Sequence, residues 1–265
     1  MNKKSVLKKI ITCMMIMTFM LAFVGCGKVD TLKKVKDSGK LVIGTCADYP
    51  PYEFHKNIDG KDAIVGFDIE IARAIANDLG VELEIKDMKF DGLLAALKTG
   101  NIDLISAGMS PTPDRAKEVD FTNTYYTDIQ KILVRAEDVD KLKKLEDFNE
   151  KNLGVQKASI QEDLAKAEMP TAKLKSLGKI TDLVLELKNK KVEGIVLVAP
   201  VADAYAKQND DLVVLDMILG EDSVAIAVDK GNESFIKEIN KTVDRLQSEK
   251  TIEKLIKEAT ELSDK

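Results

Sequence analysis

The sequence contains no tryptophan, a single histidine and three cysteines in 265 residues. One histidine excludes most histidine-based metal sites and weakens any Ser-His-Asp arrangement. His55 itself stands beside Lys56, Asn57 and Asp59, a polar stretch that reads as a solvent-exposed loop. An excess of basic charge is also missing: 40 Lys and Arg stand against 45 Asp and Glu, for a net charge of −5. That argues against a nucleic-acid binder, whose affinity rests on a basic surface. No Walker A loop, GxGxxG or CxxC occurs, and the carboxylates show no EF-hand spacing, so neither a cofactor nor a metal is expected. A 45% hydrophobic fraction supports a packed core and excludes a disordered chain.

Charge is absent altogether from residues 10–24, which follow Lys3, Lys4, Lys8 and Lys9. A basic segment before an apolar one reads as a secretory signal, and this apolar run is short of the ~20 residues a membrane span needs. Phe23-Val24-Gly25-Cys26-Gly27 resembles a bacterial lipobox, with Phe23 where Leu is usual. The resemblance implies a signal peptide over 1–25 and a mature N-terminus at a lipidated, palmitate-bearing Cys26. An ordinary signal with a chance cysteine, or a short anchor helix, is the alternative. Loss of the four leader lysines takes the net charge from −5 to −9. Cys13 leaves with the leader and Cys26 carries lipid, so Cys46 alone remains and no internal disulfide is expected. Residues 26–37 are polar and Lys-rich, and read as a tether ending in a short helix.

From residue 40 onward strands and helices alternate. Lys40–Cys46 reads as a buried strand. Phe67, Ile71, Ile75 and Leu79 share one helix face, which Gly80 closes. Val81, Leu83 and Ile85 alternate with Glu82 and Glu84 at strand period. A helix follows over Phe90–Thr99 and a strand over Ile102–Ser106. Further strands are expected at Ile129–Val134, Leu153–Gln156, Gly194–Val198, Leu212–Leu215 and Ser223–Val228. Helices are expected at Ile160–Ala167, Ile180–Lys190, Val201–Gln208 and through 232–260. This order implies an α/β fold with mostly parallel sheets. Leu97–Ile105 and Leu187–Ile195 echo each other across a helix–strand junction, as two similar lobes would. No Pro/Gly/Ser linker divides the halves, so strands must join them, giving a hinge and a crevice.

Gly66-Phe-Asp-Ile-Glu-Ile-Ala-Arg-Ala-Ile-Ala-Asn-Asp-Leu79 closely resembles the signature of the polar amino-acid-binding receptors of ABC importers, the family 3 extracytoplasmic solute-binding proteins. Other blocks agree in order and spacing: Ala47–Phe54, Phe90–Leu97, Ile102–Ser110, Val119–Thr122, Gly154–Gln161 and Val192–Ile195. The resemblance implies a two-lobed periplasmic-binding-protein-like (type II) fold with two crossing hinge strands. One lobe would comprise 38–127 and 222–265, the other 128–221. It implies a lipid-anchored monomer on the outer face of the cell membrane. Such a receptor binds an amino acid or close relative, and serves an ABC permease and its ATPase without enzymatic chemistry. A sensing receptor uncoupled from transport, or a cyclohexadienyl-dehydratase-like enzyme, is the alternative.

The site follows position by position. An amino acid's carboxylate calls for a planar guanidinium fork, and Arg115 matches the family's arginine. Gly108 and Ser110 match positions that hold the carboxylate and ammonium, at the carboxyl end of a strand where α/β crevices form. Tyr49 and Phe90 align with aromatics that sandwich the ligand side chain. Ser159 and Gln161 open a helix whose amides suit an anion, and Ser159 is also a natural N-cap. Two positions depart from the family. Val198 stands where many members place the Asp or Glu that pairs with the ammonium, and Cys46 stands where Asp or Ser is frequent. A buried ammonium without a partner is costly. It is left to other groups, with Asp48 and Asp91 as the candidates near in sequence, or the ligand lacks one.

Overall fold

The computed structural model of the protein describes residues 30–264. The expected leader, the expected lipid site Cys26 and the first residues of the expected tether lie outside the described residues. Among the described residues no helix is long and apolar enough to cross a membrane.

The rest of the expected tether is ordered structure. Helix α1 (Thr31–Ser38) buries Thr31 and Val35, and Lys34 reaches Asp103 at 2.8 Å. One apolar turn and one lysine thus dock a segment whose composition reads as a spacer. Strand β1 (Lys40–Thr45) leads into a three-stranded antiparallel sheet of β2 (Asp48–Tyr49), β3 (Glu53–Ile58) and β4 (Lys61–Val65). His55 is exposed as expected but lies on β3, within a hairpin rather than a loop. The hairpin closes at Asp59-Gly60, both at positive φ (51° and 81°), as tight hairpin turns require.

Helix α2 (Phe67–Leu79) buries Phe67, Ile71 and Ile75 and stops at left-handed Gly80 (φ 72°), as its spacing predicts. Strand β5 (Glu82–Asp87), a 3-10 turn at Phe90–Gly92, helix α3 (Leu93–Lys98) and the short strand β6 (Leu104–Ile105) follow. The first lobe's outward run ends in α4 (Arg115–Glu118) and β7 (Val119–Phe121).

The long strand β8 (Tyr126–Arg135) carries the chain into the second lobe. There β9 (Asn152–Gln156), α5 (Ile160–Glu168), β10 (Lys173–Leu177), α6 (Ile180–Lys188), β11 (Gly194–Val198), α7 (Ala199–Gln208) and β12 (Leu212–Val214) alternate. Strand β13 (Gly220–Val224) returns antiparallel to β8, and β14 (Ala227–Asp229) joins the first lobe. The single strand expected at Ser223–Val228 is therefore two, because the chain changes sheets between them. The C-terminal helical stretch is also two helices, α8 (Glu233–Ser248) and α9 (Thr251–Ser263), broken at Lys250 (φ 54°).

The lobe sheets run β5-β1-β6-β14-β7 and β10-β9-β11-β8-β12. Each has apolar packing on both faces. One core spans both lobes through Ile43, Phe67, Tyr49, Val198 and Leu183. Separate clusters form around Leu93 and Ile102, and around Phe148 and Val155. This is a two-lobed α/β fold in which β8 and β13 form the crossing pair.

Candidate functional site

Five first-lobe positions singled out in the sequence, Tyr49, Phe90, Gly108, Ser110 and Arg115, line one cavity with Ser159 and Gln161 of the second lobe. Ala107, Gln156 and Ile160 complete its wall. Arg115 opens α4 and turns its guanidinium across the gap between lobes. Nη1 donates to the Ser110 carbonyl and Nη2 to the Ala158 carbonyl, each at 2.8 Å. The guanidinium carbon lies 5.5 Å from the centroid of the Phe90 ring, a cation–π distance. A guanidinium carries five N–H donors, so the fork retains donors beyond those two bonds. Burial lowers the Arg115 pKa, and the Asp222 carboxylate opposes that shift.

Gly108 has a φ of 54°, and its N–H donates to Asp68 at 2.9 Å. A Cβ there would come within 3.3 Å of the Tyr49 and Tyr52 rings, so glycine serves both backbone and space. Ser110 follows, buried, with its hydroxyl donating to the Asp222 carboxylate. Tyr49 ends β2. Its hydroxyl accepts from Gln161 Nε2 at 3.2 Å, and Gln161 also donates to Gln130 at 3.0 Å. The Tyr49 phenol therefore meets the second lobe directly. The main chain of Val198 lies against the same hydroxyl.

Ser159 caps α5. Its hydroxyl accepts from the Glu162 amide at 3.3 Å and donates to the Gln156 carbonyl at 2.7 Å. That hydroxyl is engaged in the cap, so the helix offers its amides rather than the serine side chain.

Cys46, Asp48 and Val198 do not line the cavity. The buried Cys46 thiol donates to Asp48 at 3.3 Å; burial, with Asp48 beside it, pushes its pKa up and keeps it neutral. The Asp48 carboxylate accepts from the Ile180 amide at 2.6 Å and the Thr181 amide at 3.4 Å. It thus caps α6 of the opposite lobe, where the helix dipole favours an anion. Burial nevertheless raises its pKa. Asp91 is likewise engaged across the cleft, with Lys157 at 2.9 Å. Neither acid is aimed at the cavity, which corrects the expectation that they stand ready for an ammonium.

Sequence reasoning missed four residues here. Gln156 ends parallel strand β9, and the strand-end rule that found Gly108 applies to it equally. Asp68, Gln130 and Asp222 gave no local signal; their partners lie 40, 31 and 112 residues away.

Known proteins resemble this chain over most of its length. The family model for bacterial extracellular solute-binding proteins, family 3, matches residues 41–260. The arginine-binding extracellular protein ArtP of Bacillus subtilis (strain 168) is 39% identical over 82% of this chain and 85% of its own. A probable histidine-binding protein of Campylobacter jejuni is 32% identical over 95% and 98%. The crystal structure of the amino acid ABC transporter substrate-binding protein AbpA from Streptococcus pneumoniae bound to L-arginine superposes with a TM-score of 0.85. It is 37% identical, and the match covers 88% of this chain and 99% of that one.

Proposed function

Because the chain belongs to the bacterial extracellular solute-binding proteins, family 3, we propose that it captures a free α-amino acid between its lobes and delivers it to an ABC importer. The observation that carries this reading is the Arg115 guanidinium, held between main-chain carbonyls of both lobes over the Phe90 ring. A ligand carboxylate takes the remaining N–H groups of that fork and the free amides opening α5. Phe90 and Tyr49 flank the ligand, and Gly108 and Ser110 line the cavity beside them. In this reading 38–127 with 222–265 form one lobe and 128–221 the other, and β8 and β13 flex between them.

The relatives support the ligand class, since the proteins matched are described as binding arginine or histidine. Cys26 carries the lipid that holds the protein, as a monomer, at the outer face of the membrane. Its partners there are a permease and its ATPase. The protein performs no chemical step; turnover of prephenate by the purified protein would overturn that.

A thermal-shift screen beginning with L-arginine, L-histidine and L-cystine tests the reading. A ligand at 100 times its dissociation constant adds about 2.7 kcal/mol of stability. Arg115→Ala should remove that shift while leaving a cooperative melt. Silence across all amino acids, or an undiminished shift in the variant, refutes the assignment.

A further inference from the structure

An α-amino acid carries its ammonium one carbon from its carboxylate. A receptor that seats the carboxylate on a guanidinium must therefore place an acceptor for the cation close to that guanidinium. Val198 cannot supply it. Asp48 is engaged with the amides of α6, and Asp91 with Lys157. Among the described residues, Asp222, half-buried on β13, is the carboxylate hydrogen-bonded to a cavity-lining side chain on the Arg115 side, while the Asp163 charge bears on Arg115 as well.

Ser110 shows how near the two groups are. Its carbonyl takes Arg115 Nη1 at 2.8 Å, while its hydroxyl donates to Asp222. The guanidinium fork and the acid therefore flank a single residue, as the two ends of a zwitterion would require. The Asp222 charge also bears on both Arg115 and Tyr49.

The placement is unfavourable without a cation. Asp222 lies directly opposite Asp128 in the β8–β13 register, and like charges opposed across a sheet pair destabilise it. Asp128 is satisfied on its own strand, by the Ile129 amide at 2.7 Å and the Tyr126 hydroxyl. Asp222 turns instead toward Ser110, whose own atoms line the cavity. Burial raises its carboxyl, against the pull of Ser110 and Arg115.

We infer that Asp222 is the counter-ion of the ligand's ammonium, taking from a hinge strand the role that Val198 cannot fill. The inference rests on the amino-acid receptor reading and deepens it. It also places a ligand contact on one of the two strands about which the lobes turn.

The test pairs each amino acid with its des-amino analogue in calorimetry. L-arginine is set against 5-guanidinopentanoate, L-histidine against 3-(imidazol-4-yl)propanoate, and L-glutamine against 4-carbamoylbutanoate. The wild-type protein should prefer the amino acid. Asp222→Asn should weaken amino-acid binding by about 30-fold or more, as loss of a buried charge-assisted bond does. The des-amino acid should keep its affinity, which shows an intact cavity, so the preference collapses toward unity. Adding Val198→Asp to that variant should restore part of the preference. A preference unchanged in Asp222→Asn overturns the assignment. Wild-type protein that binds no amino acid, in this set or in the thermal-shift screen, overturns the receptor reading instead, and the assignment with it.

Discussion

Asp68 stands second in α2, fully buried. It holds the cavity floor from behind: its oxygens take the Tyr125 hydroxyl at 2.7 and 2.8 Å and the Gly108 amide at 2.9 Å. Burial pushes its carboxyl from 3.8 up to about 6, against the pull of those hydrogen bonds. The folded state therefore keeps a proton that the unfolded chain has lost. The stability this contributes is full below pH 3.8 and disappears as pH rises through about 6. At 1.36 kcal/mol per pH unit the swing is roughly 3 kcal/mol. Urea unfolding of wild type against Asp68→Asn should show the wild type gaining by about that much, relative to the variant, between pH 7 and pH 4. A difference that does not move with pH sinks the account. Asp68 belongs to the signature block that reveals the family, yet its task is invisible there, because Gly108 and Tyr125 are 40 and 57 residues distant.

At the scale of elements, the internal echo proves to be a shared helix stop. After α3, Gly100 donates to the Leu97 carbonyl and Asn101 to that of Ala96, both at 3.0 Å. After α6, Lys190 donates to Leu187 at 3.1 Å and Lys191 to Glu186 at 2.8 Å. Both are Schellman closures with a left-handed residue, φ 72° at Gly100 and 57° at Lys190. A lysine pays a steric penalty there that glycine does not. Lys190→Gly should raise stability by about 0.5–1 kcal/mol, measured by denaturant midpoint. Its ion pair with Glu137 is exposed and contributes little against that gain. Helices with a clear apolar face were readable from spacing alone. The β3–β4 hairpin and β10 were not, since their residues are mostly exposed or only partly buried and lack strong alternation.

At the scale of the molecule, the lobes are fastened by groups beside the cavity rather than within it. Asp48 caps α6 across the cleft, and the Tyr205 hydroxyl donates to the Asp48 carbonyl at 2.7 Å. Lys179 pairs with Asp87 at 2.8 Å and Lys157 with Asp91 at 2.9 Å. These contacts exist only when the lobes meet, so they favour the closed state and raise ligand affinity indirectly. Asp48→Asn weakens a charge-assisted bond to two amides. It should reduce ligand affinity about tenfold without changing the order of preferred ligands. Calorimetry over several amino acids checks this; a changed order would make Asp48 a ligand contact instead.

Sequence alone determined the α/β class and the order of most elements, and the family resemblance marked seven residues that line the cavity, Ser159 and Gln161 of the second lobe among them. Those features are local: periodicity sets helix and strand, and Tyr49, Phe90, Gly108, Ser110 and Arg115 sit at strand ends or in the loops that follow. Tertiary structure decided what depends on distant segments meeting. It divided 220–229 between two sheets, docked against the body the short helix expected at the end of the tether, and turned Asp48 and Asp91 into clasps between lobes. It also brought Asp222 to Ser110 across 112 residues of chain. A carboxylate's role is set by which charges and donors surround it in space, and no window of sequence contains that neighbourhood.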